Sequence, residues 1–194
     1  MSELAEDHAE GEVVVDEELD AEDQVRRQLA LAQIRQYPDP ALRMTAREVT
    51  DFDDDLVALA TRMKQLMHDA HGVGLAANQV GILRRIFVFQ QSEDEVTTVV
   101  NPVLERGTEV EVDEEGCLSM QGVRVPVERA TTVTLTGKDE RGGDLRIELE
   151  GLRARAAQHE VDHLDGTLIV DRTDPESRKR ALGILRPQPV LAAG

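Results

Sequence analysis

The fold of this chain is organised around residues 158–163, which read Gln-His-Glu-Val-Asp-His. They contain an H-E-x-x-H pattern, in which two histidines four positions apart lie on one face of a helix, about one turn from each other. Ring nitrogens placed in this way can converge on one divalent cation, and Glu160 can reach a water molecule bound to it. Residues 152–164 contain neither proline nor glycine, so the sequence predicts a helix that ends before Gly166. Because a solvated helix can carry two histidines by chance, the pattern favours a metal site without establishing one.

A catalytic metal site normally uses three protein ligands and keeps one position open. Peptidases with this pattern take the third ligand from a Glu or a His that follows the second histidine. The chain has no histidine after His163, and its only later glutamate is Glu176, in the first turn of the last predicted helix. The peptidase patterns are therefore poorly supported, although Asp165, Asp171 and Asp174 remain alternatives by sequence alone.

Cys117 is a better candidate for the third ligand. It is the only cysteine of the chain and lies in segment 113–119, which reads Asp-Glu-Glu-Gly-Cys-Leu-Ser. A thiolate binds borderline divalent metals strongly. Taken alone, a single cysteine is more often a small buried residue, and a nucleophilic Cys–His pair is a further alternative. Its combination with the H-E-x-x-H pattern favours a metal-dependent hydrolase with a Cys/His/His site.

The remaining pattern predicts an α+β fold, in which short and mostly antiparallel strands pack around the H-E-x-x-H helix and a further helix closes the C-terminus. Apolar spacing predicts helices over 21–33 and from 56 to 70, the second ending near Gly72. Strands are predicted over 85–90, 96–100 and 109–112, and a hairpin joins 131–136 to 145–149. The last helix begins near Asp174 and Pro175. Because the order lacks regular β-α-β alternation, a parallel doubly wound sheet is disfavoured.

Charge divides the chain into three parts. Eleven of its 39 acidic residues fall within residues 1–25, which contain no Lys or Arg. We therefore expect an acidic, disordered tail over 1–25, a single catalytic domain over 26–186 and a flexible tail over 187–194. Residues 172–186 carry five basic residues against Asp174 and Glu176. This basic stretch is a candidate partner surface, and a solvated helix face is the alternative.

Composition argues against several classes of function. The formal net charge of -17 repels polyanions, and an aromatic content of 2% offers few stacking platforms for bases, so we expect no DNA binding. A single cysteine excludes an intramolecular disulfide. No stretch approaches the roughly 18 apolar residues of a membrane span, and no secretion signal is visible. We therefore expect a cytoplasmic protein without a membrane partner.

Three segments together resemble one family. Residues 72–79 read Gly-Val-Gly-Leu-Ala-Ala-Asn-Gln, residues 115–119 read Glu-Gly-Cys-Leu-Ser, and the third segment is 158–163. In this order and at these separations they resemble the three motifs of bacterial peptide deformylases, including actinobacterial ones, and the resemblance extends from about Ile34 to Arg172. It departs from many members at residues 120–122, which read Met-Gln-Gly where a proline is common.

The resemblance implies a metallo-amidase that removes the formyl group from the N-formyl-methionine of nascent polypeptides. It assigns the metal to Cys117, His159 and His163, with ferrous iron expected and nickel, cobalt or zinc as substitutes. Glu160 would be the general acid/base. The side chain of Gln79 and the backbone N–H of Leu118 would form the oxyanion hole.

The same resemblance suggests where the peptide binds. Val73 and Gly74 would line the mouth of the site and pair with an extended peptide, while Glu115 and Gly116 would contact it from the thiol segment. An apolar methionine pocket would draw on Val73, Leu118 and Ala156. Glu115 would also pair with Arg129, the alternative being two separate surface charges. For an enzyme that acts on nascent chains, the basic stretch 172–186 is also a candidate contact with the ribosome. A metallopeptidase that cuts internal bonds and a catalytically silent metal-binding partner of the ribosome remain the competing hypotheses.

Overall fold

A computed structural model of the chain describes residues 20–92 and 95–186. Within these residues the helices are α1 (Ala21–Leu31), α2 (Asp54–Asp69), α3 (Gly151–Leu164), α4 (Ile169–Arg172) and α5 (Pro175–Ile184). The strands are β1 (Gly74–Ala76), β2 (Ile86–Ser92), β3 (Glu95–Arg106), β4 (Val110–Gly116), β5 (Arg124–Ala130), β6 (Thr132–Lys138) and β7 (Asp144–Glu150). Short 3-10 helices span Pro40–Arg43 and Ala77–Val80.

All strand pairs between named strands are antiparallel. Five strands form one sheet in the order β1-β2-β3-β6-β7, so β1 lies at its edge, and β4 and β5 form a second, two-stranded sheet. The predicted α+β class with antiparallel strands around the H-E-x-x-H helix is confirmed. The hairpin β6–β7 and the last helix, capped by the Asp174 side chain with Pro175 in its first turn, also agree with the sequence.

Strand β2 is sandwiched between two helices, and this fixes the position of α3. Its residues Ile86 and Val88 pack with α2 in one core cluster, whereas Phe87 and Phe89 pack with α3 in another. Alternate residues of a strand face opposite sides of a sheet, so both faces of β2 are buried. Ala154 and Ala157 on α3 are fully buried, and their small side chains let the helix lie close to the sheet.

A third apolar cluster joins the two-stranded sheet to the C-terminal helices. Val125 and Val127 of β5 pack with Leu168, Ile169 and other apolar residues, and Cys117 lies partly buried against the same cluster. Helices α4 and α5 therefore support the hairpin that carries the thiol.

Strand β5 was not expected from the sequence. The alternation of Val123, Val125 and Val127 with polar residues is a period-2 strand signal. Pro126 obscures it, because proline cannot donate a backbone hydrogen bond to a neighbouring strand. Strand β1 and the following 3-10 helix were likewise not among the elements predicted from the sequence.

The predicted boundary at residue 25 falls inside a helix. Helix α1 begins at Ala21, and the Asp20 side chain accepts hydrogen bonds from the backbone N–H groups of Glu22 and Asp23. Residues 1–19 and 187–194 lie outside the described part of the chain, so the two predicted tails stay predictions. No described helix is both long enough and apolar enough to cross a bilayer.

Candidate metal centre

Hydrogen bonds anchor helix α3 at both ends of the H-E-x-x-H segment. The Gln158 side chain accepts a hydrogen bond from the Ala130 N–H at 3.2 Å and donates one to the Ala130 carbonyl at 2.9 Å. At the other end, Asn78 donates to the backbone carbonyl of His163. These contacts attach α3 to the end of β5 and to the 3-10 helix that carries Gln79.

The structure brings Cys117, His159 and His163 together. The Nε2 atoms of the two histidines are 3.2 Å apart, and Cys117 Sγ lies 3.2 Å from His163 Nε2. One donor atom from each of the three residues falls within 4.8 Å of the others. One thiolate sulfur and two imidazole nitrogens form a donor set that suits zinc and iron. The residues therefore fit a divalent metal ion.

Cys117 reaches this point from the second sheet. It follows Gly116, the last residue of β4, which pairs with Arg124 of β5. The backbone then turns, with the Met120 N–H donating to the Cys117 carbonyl at 3.0 Å. The turn directs the thiol towards α3, while the histidines project from the helix at their i, i+4 spacing.

The carboxylate of Glu115 is buried behind the histidines. Its Oε2 accepts a hydrogen bond from His159 Nδ1 at 3.0 Å and from Arg129 Nη2 at 3.0 Å. Its Oε1 accepts from Arg129 Nε at 2.8 Å and from Arg155 Nη1 at 2.9 Å. Burial alone would raise the pKa of Glu115, but the hydrogen bonds from Arg129 and His159 outweigh it and hold the pKa far below its ordinary value. Glu115 is therefore ionised and oriented to support His159.

The network continues from Arg129 towards the C-terminal helices. Arg129 also donates to Asp162 on α3, and Arg172 donates to the same carboxylate at 3.0 and 2.6 Å. Burial would lower the pKa of Arg129, but the carboxylates of Glu115 and Asp162 raise it above its ordinary value. Asp162 and Arg129 are 4% and 6% exposed, so the charges compensate one another away from solvent.

The carboxamide of Gln79 has a fixed orientation. Its Oε1 accepts a hydrogen bond from the Ala76 N–H at 2.9 Å, and its Nε2 donates to Ser119 Oγ at 3.0 Å. The same Nε2 lies 3.8 Å from Cys117 Sγ. Because the carbonyl oxygen is occupied by a backbone donor, the amide nitrogen is the atom presented towards the cluster.

Glu160 lies next to Gly74 and is 3% exposed. A Cβ atom at position 74 would lie 2.7 Å from Glu160 Cδ and closer still to Oε1, so only glycine leaves room for this carboxyl group. Glu160 Oε2 has no hydrogen-bond partner among the described residues. Burial, the largest influence, raises the pKa of Glu160 to about 7. A carboxyl group with such a pKa can accept and release a proton near neutral pH.

The pKa values of the two histidines are shifted in opposite directions. Burial would lower the pKa of His159, but hydrogen bonds with Cys117 and Glu115 outweigh it and raise the pKa well above its ordinary value. Burial, reinforced by the neighbouring His159, lowers the pKa of His163.

The downstream carboxylates that sequence alone left open are engaged elsewhere. Asp165 accepts a hydrogen bond from Arg85 at 2.6 Å, and Asp171 pairs with Arg43. Asp174 caps α5. Cys117 is therefore the residue that the structure places beside both histidines.

The positions expected to bind the peptide lie around the cluster, with one correction. Val73 is 47% exposed in front of β1, Gly74 is buried against Glu160, and Gly116 is exposed. Leu118 is half-buried, and its side chain packs over Gly72. The side chain of Glu115, in contrast, is buried, and its carboxylate contacts Arg129, Arg155 and His159 instead of facing a peptide.

Comparison with known proteins shows the family to which this arrangement belongs. The profile of the polypeptide deformylase family matches residues 31–179. The chain is 47% identical over 162 residues to peptide deformylase 1 of Corynebacterium glutamicum, which covers 81% of this chain and 96% of that protein. It is 44% identical over 158 residues to the peptide deformylase of Acidothermus cellulolyticus, covering 81% of this chain and 87% of that protein.

The chain belongs to the polypeptide deformylase family.

Solved structures agree with this assignment. A peptide deformylase from Legionella pneumophila superposes with a TM-score of 0.75 at 40% identity, covering 78% of this chain and 91% of the other. One from Synechococcus elongatus, solved in complex with actinonin, gives 0.74 at 36% identity, covering 80% and 91%. Polypeptide deformylases are metal-dependent hydrolases that remove the formyl group from N-formyl-methionine of nascent peptides. The predictions of family, fold class and enzyme class are confirmed.

Several residues of this deformylase site were not singled out from the sequence. The predicted pair of Glu115 and Arg129 is present, but Arg155, Asp162 and Ser119 add contacts that were not expected. The sequence did contain a signal for Arg155, because it precedes His159 by four residues and so lies on the same helix face. Ser119 and Asp162 lie inside two of the quoted motifs, but no local pattern reveals their distant partners, Gln79 for Ser119 and Arg129 for Asp162.

Proposed function

We propose that Cys117, His159 and His163 hold the divalent metal of the deformylase reaction and that Glu160 is its general acid/base. The observation that carries the proposal is the convergence of the three motifs, with one sulfur and two ring nitrogens within 4.8 Å of one another. Glu160 follows His159 on α3, and Gln79 Nε2 lies 3.8 Å from Cys117 Sγ. A divalent ion held there supplies Lewis-acid activation of water and of the formyl carbonyl.

In the proposed reaction the residues of the chain move one proton and stabilise one charge. Glu160 accepts a proton from the attacking water, whose oxygen forms a bond to the formyl carbon. Charge develops on the formyl oxygen, and Gln79 Nε2 and the backbone N–H of Leu118 donate hydrogen bonds to it. The carbon–nitrogen bond then breaks, and Glu160 returns the proton to the leaving amine, giving formate and a free N-terminus. Losing one such oxyanion donor typically costs about 10²–10³ in rate.

Peptide binding is proposed along the edge of the larger sheet. Strand β1 pairs with β2 on one side only, and the Val73 carbonyl accepts a hydrogen bond from the Gln90 N–H at 2.9 Å. An extended peptide could add to such an edge as a further strand. Gly74, Gly116 and the backbone of Glu115 would border it, with Leu118 and Ala156 lining the methionine pocket.

The identity of the metal and the surroundings of the enzyme are also proposals. Ferrous iron is the expected ion, with zinc, nickel or cobalt able to replace it, because imidazole and thiolate accept all of these ions. A cytoplasmic location follows from the substrate, since nascent formylated chains are made there.

The ribosome is a further proposed partner, through the basic stretch 172–186. Lys179 is exposed on α5, which supports the proposal. The arginines of the stretch are paired with acidic residues: Arg172 with Asp162, Arg178 with Asp171 and Arg180 with Glu176. Co-sedimentation of the intact chain with ribosomes at low salt tests it, and absence of binding would exclude the contact.

The proposed roles are tested by formate release from formyl-Met-Ala, with metal content measured on the same anaerobically prepared samples. Glu160→Gln keeps the shape of the side chain but removes the base, so turnover should fall by about 10²–10⁴ while metal content is unchanged. Cys117→Ala should lower metal content. Glu105→Gln, an exposed change on β3, is the matched control and should behave as wild type.

Two results would contradict the proposal. Near-wild-type turnover by Glu160→Gln would remove its role as the acid/base, and unchanged metal stoichiometry in Cys117→Ala would remove the thiol from the site. Cleavage of unformylated casein without turnover of formyl-Met-Ala would favour a metallopeptidase instead.

A further inference from the structure

Arg155 is a buried arginine on α3, one helical turn before His159, and it makes no contact with the donor atoms themselves. It is 7% exposed, and its Nη1 donates to Glu115 Oε1 at 2.9 Å and to the Val127 carbonyl at 2.8 Å. Its Nη2 donates to the Glu111 carbonyl at 3.1 Å. We propose that Arg155 is a positioning residue for the metal ligand His159, acting through Glu115. This inference rests on the proposed metal-binding role of His159.

The path from Arg155 to the ligand runs through the two oxygens of one carboxylate. Arg155 holds Glu115 at Oε1, and the other oxygen, Oε2, faces His159 Nδ1 at 3.0 Å. A carboxylate in this position accepts the Nδ1–H of the ring, which leaves the lone pair on Nε2, the atom that points into the cluster. Fixing the rotation of the carboxylate therefore fixes both the tautomer and the direction of the ligand nitrogen.

Arg129 also holds the Glu115 carboxylate, through its Nε on Oε1 and its Nη2 on Oε2. Its guanidinium also serves Asp162, and its Nη2 shares Glu115 Oε2 with His159. Arg155 contacts only Oε1, where it adds a second donor beside Arg129 Nε without competing for the oxygen that His159 uses. With both arginines in place, Glu115 has four donors on its two oxygens, which is close to the full acceptor capacity of a carboxylate.

Arg155 also joins the two elements that supply ligands. Its backbone lies on α3 with His159, and its guanidinium is bound to carbonyls of β4 and β5, the hairpin that leads into Cys117. A change at Arg155 thus alters the orientation of one ligand and the anchoring of the hairpin that carries another.

The test measures zinc affinity by competition with a chelator, together with the absorption spectrum of the Co²⁺-loaded protein. Arg155→Met should weaken zinc binding by about 10- to 100-fold, the range typical of partners that orient a ligand. Arg155→Lys keeps a cation near Glu115 Oε1 and should recover most of the affinity. Arg153→Met, two residues earlier and exposed on the same helix, is the control and should bind zinc as the wild type does.

A second comparison separates positioning from general support of the fold. In a Glu115→Gln background, Arg155→Met should cause little further loss of zinc affinity if it acts through Glu115. A full additional loss would overturn the proposal, because it would show that Arg155 acts through the hairpin carbonyls instead. Wild-type zinc affinity in Arg155→Met would overturn it as well. If Arg155→Met does not fold, Arg155→Gln replaces it in the same cycle, because it also removes the cation from Glu115. A loss of zinc affinity that is equally large in the Glu115→Gln background contradicts the proposed path.

These measurements do not depend on turnover. If the wild-type protein bound zinc but released no formate from formyl-Met-Ala, the proposed function would fail while the zinc affinities still decided the role of Arg155.

Discussion

The close approach of Glu160 to Gly74 predicts that the single methyl group added by Gly74→Ala impairs catalysis. Gly74 has a backbone conformation that other residues can adopt, so Gly74→Ala introduces a Cβ atom without backbone strain. That atom would lie 2.7 Å from Glu160 Cδ and 2.9 Å from Cγ. The effect of the substitution therefore falls on the carboxyl group proposed as the acid/base.

The expected loss of activity can be estimated from the overlap between the new Cβ atom and the Glu160 side chain. Restoring a carbon–carbon contact of about 3.5 Å requires Glu160 Cδ to recede by about 0.8 Å. Glu160 is 3% exposed on a helix packed against the sheet, so the displacement cannot be absorbed by swinging into solvent. A misplacement of about 1 Å can cost about 10²-fold in rate, so we expect kcat to fall by about 10- to 100-fold. The extra volume should also lower the free energy of unfolding by about 1–3 kcal/mol.

The assay is steady-state formate release from formyl-Met-Ala, with zinc affinity and thermal unfolding measured on the same preparations. Zinc affinity should not change, because the new atom lies against Glu160 and not against a donor atom. Gly183→Ala is the matched control: a Cβ atom there meets no heavy atom within 4 Å, and kcat should equal that of the wild type. Wild-type kcat in Gly74→Ala would refute the reasoning, since it would show that Glu160 can move without consequence.

Three further predictions concern stability and are measured by chemical denaturation of the zinc-loaded chain. Arg129→Met leaves the carboxylates of Glu115 and Asp162 buried without their shared cation, and should lower the free energy of unfolding by about 3–5 kcal/mol; a loss below about 1 kcal/mol would contradict this. Phe87→Ala removes a fully buried ring beside α3 and should cost about 3–5 kcal/mol, which a near-neutral result would exclude. Burial would raise the pKa of Asp171, but hydrogen bonds from Arg43 and the Leu168 N–H outweigh it and lower the pKa. The stability that Asp171 contributes is therefore present above the unfolded pKa of about 3.9 and is lost as the pH falls through the lower folded value. Asp171→Asn should lower the free energy of unfolding by at most about 1 kcal/mol at pH 7, and by less in acid. A loss of unfolding free energy that grows below pH 4 would contradict the sign.

Much of the fold could be predicted because its signals are local. The helical spacing of residues 56–70 and the Asp174–Pro175 start of α5 depend on neighbours in sequence, and the structure reproduces both. Strand β5 was missed where two local signals conflict, an alternation of valines and a proline within it. It is held in place by pairing with β4 and by packing against α4 and α5, which are contacts that local pattern does not contain.

The functional site, like the fold, could be predicted from the sequence only in part. By itself, the sequence determined that His159 and His163 share a helix face with Glu160 beside them, because the helix repeat places residues i and i+4 together whatever surrounds them. The motifs at 72–79 and 115–119 supplied the remaining candidates. Only the tertiary structure decided that Cys117, rather than a downstream aspartate, lies within 4.8 Å of both histidines. It also decided that the Glu115 side chain faces two buried arginines and not a peptide. The physical reason is that a buried charge must find partners wherever the fold brings them. For Glu115 those partners come from β5 and α3, 14 and 40 residues away along the chain, and no local pattern encodes such a meeting.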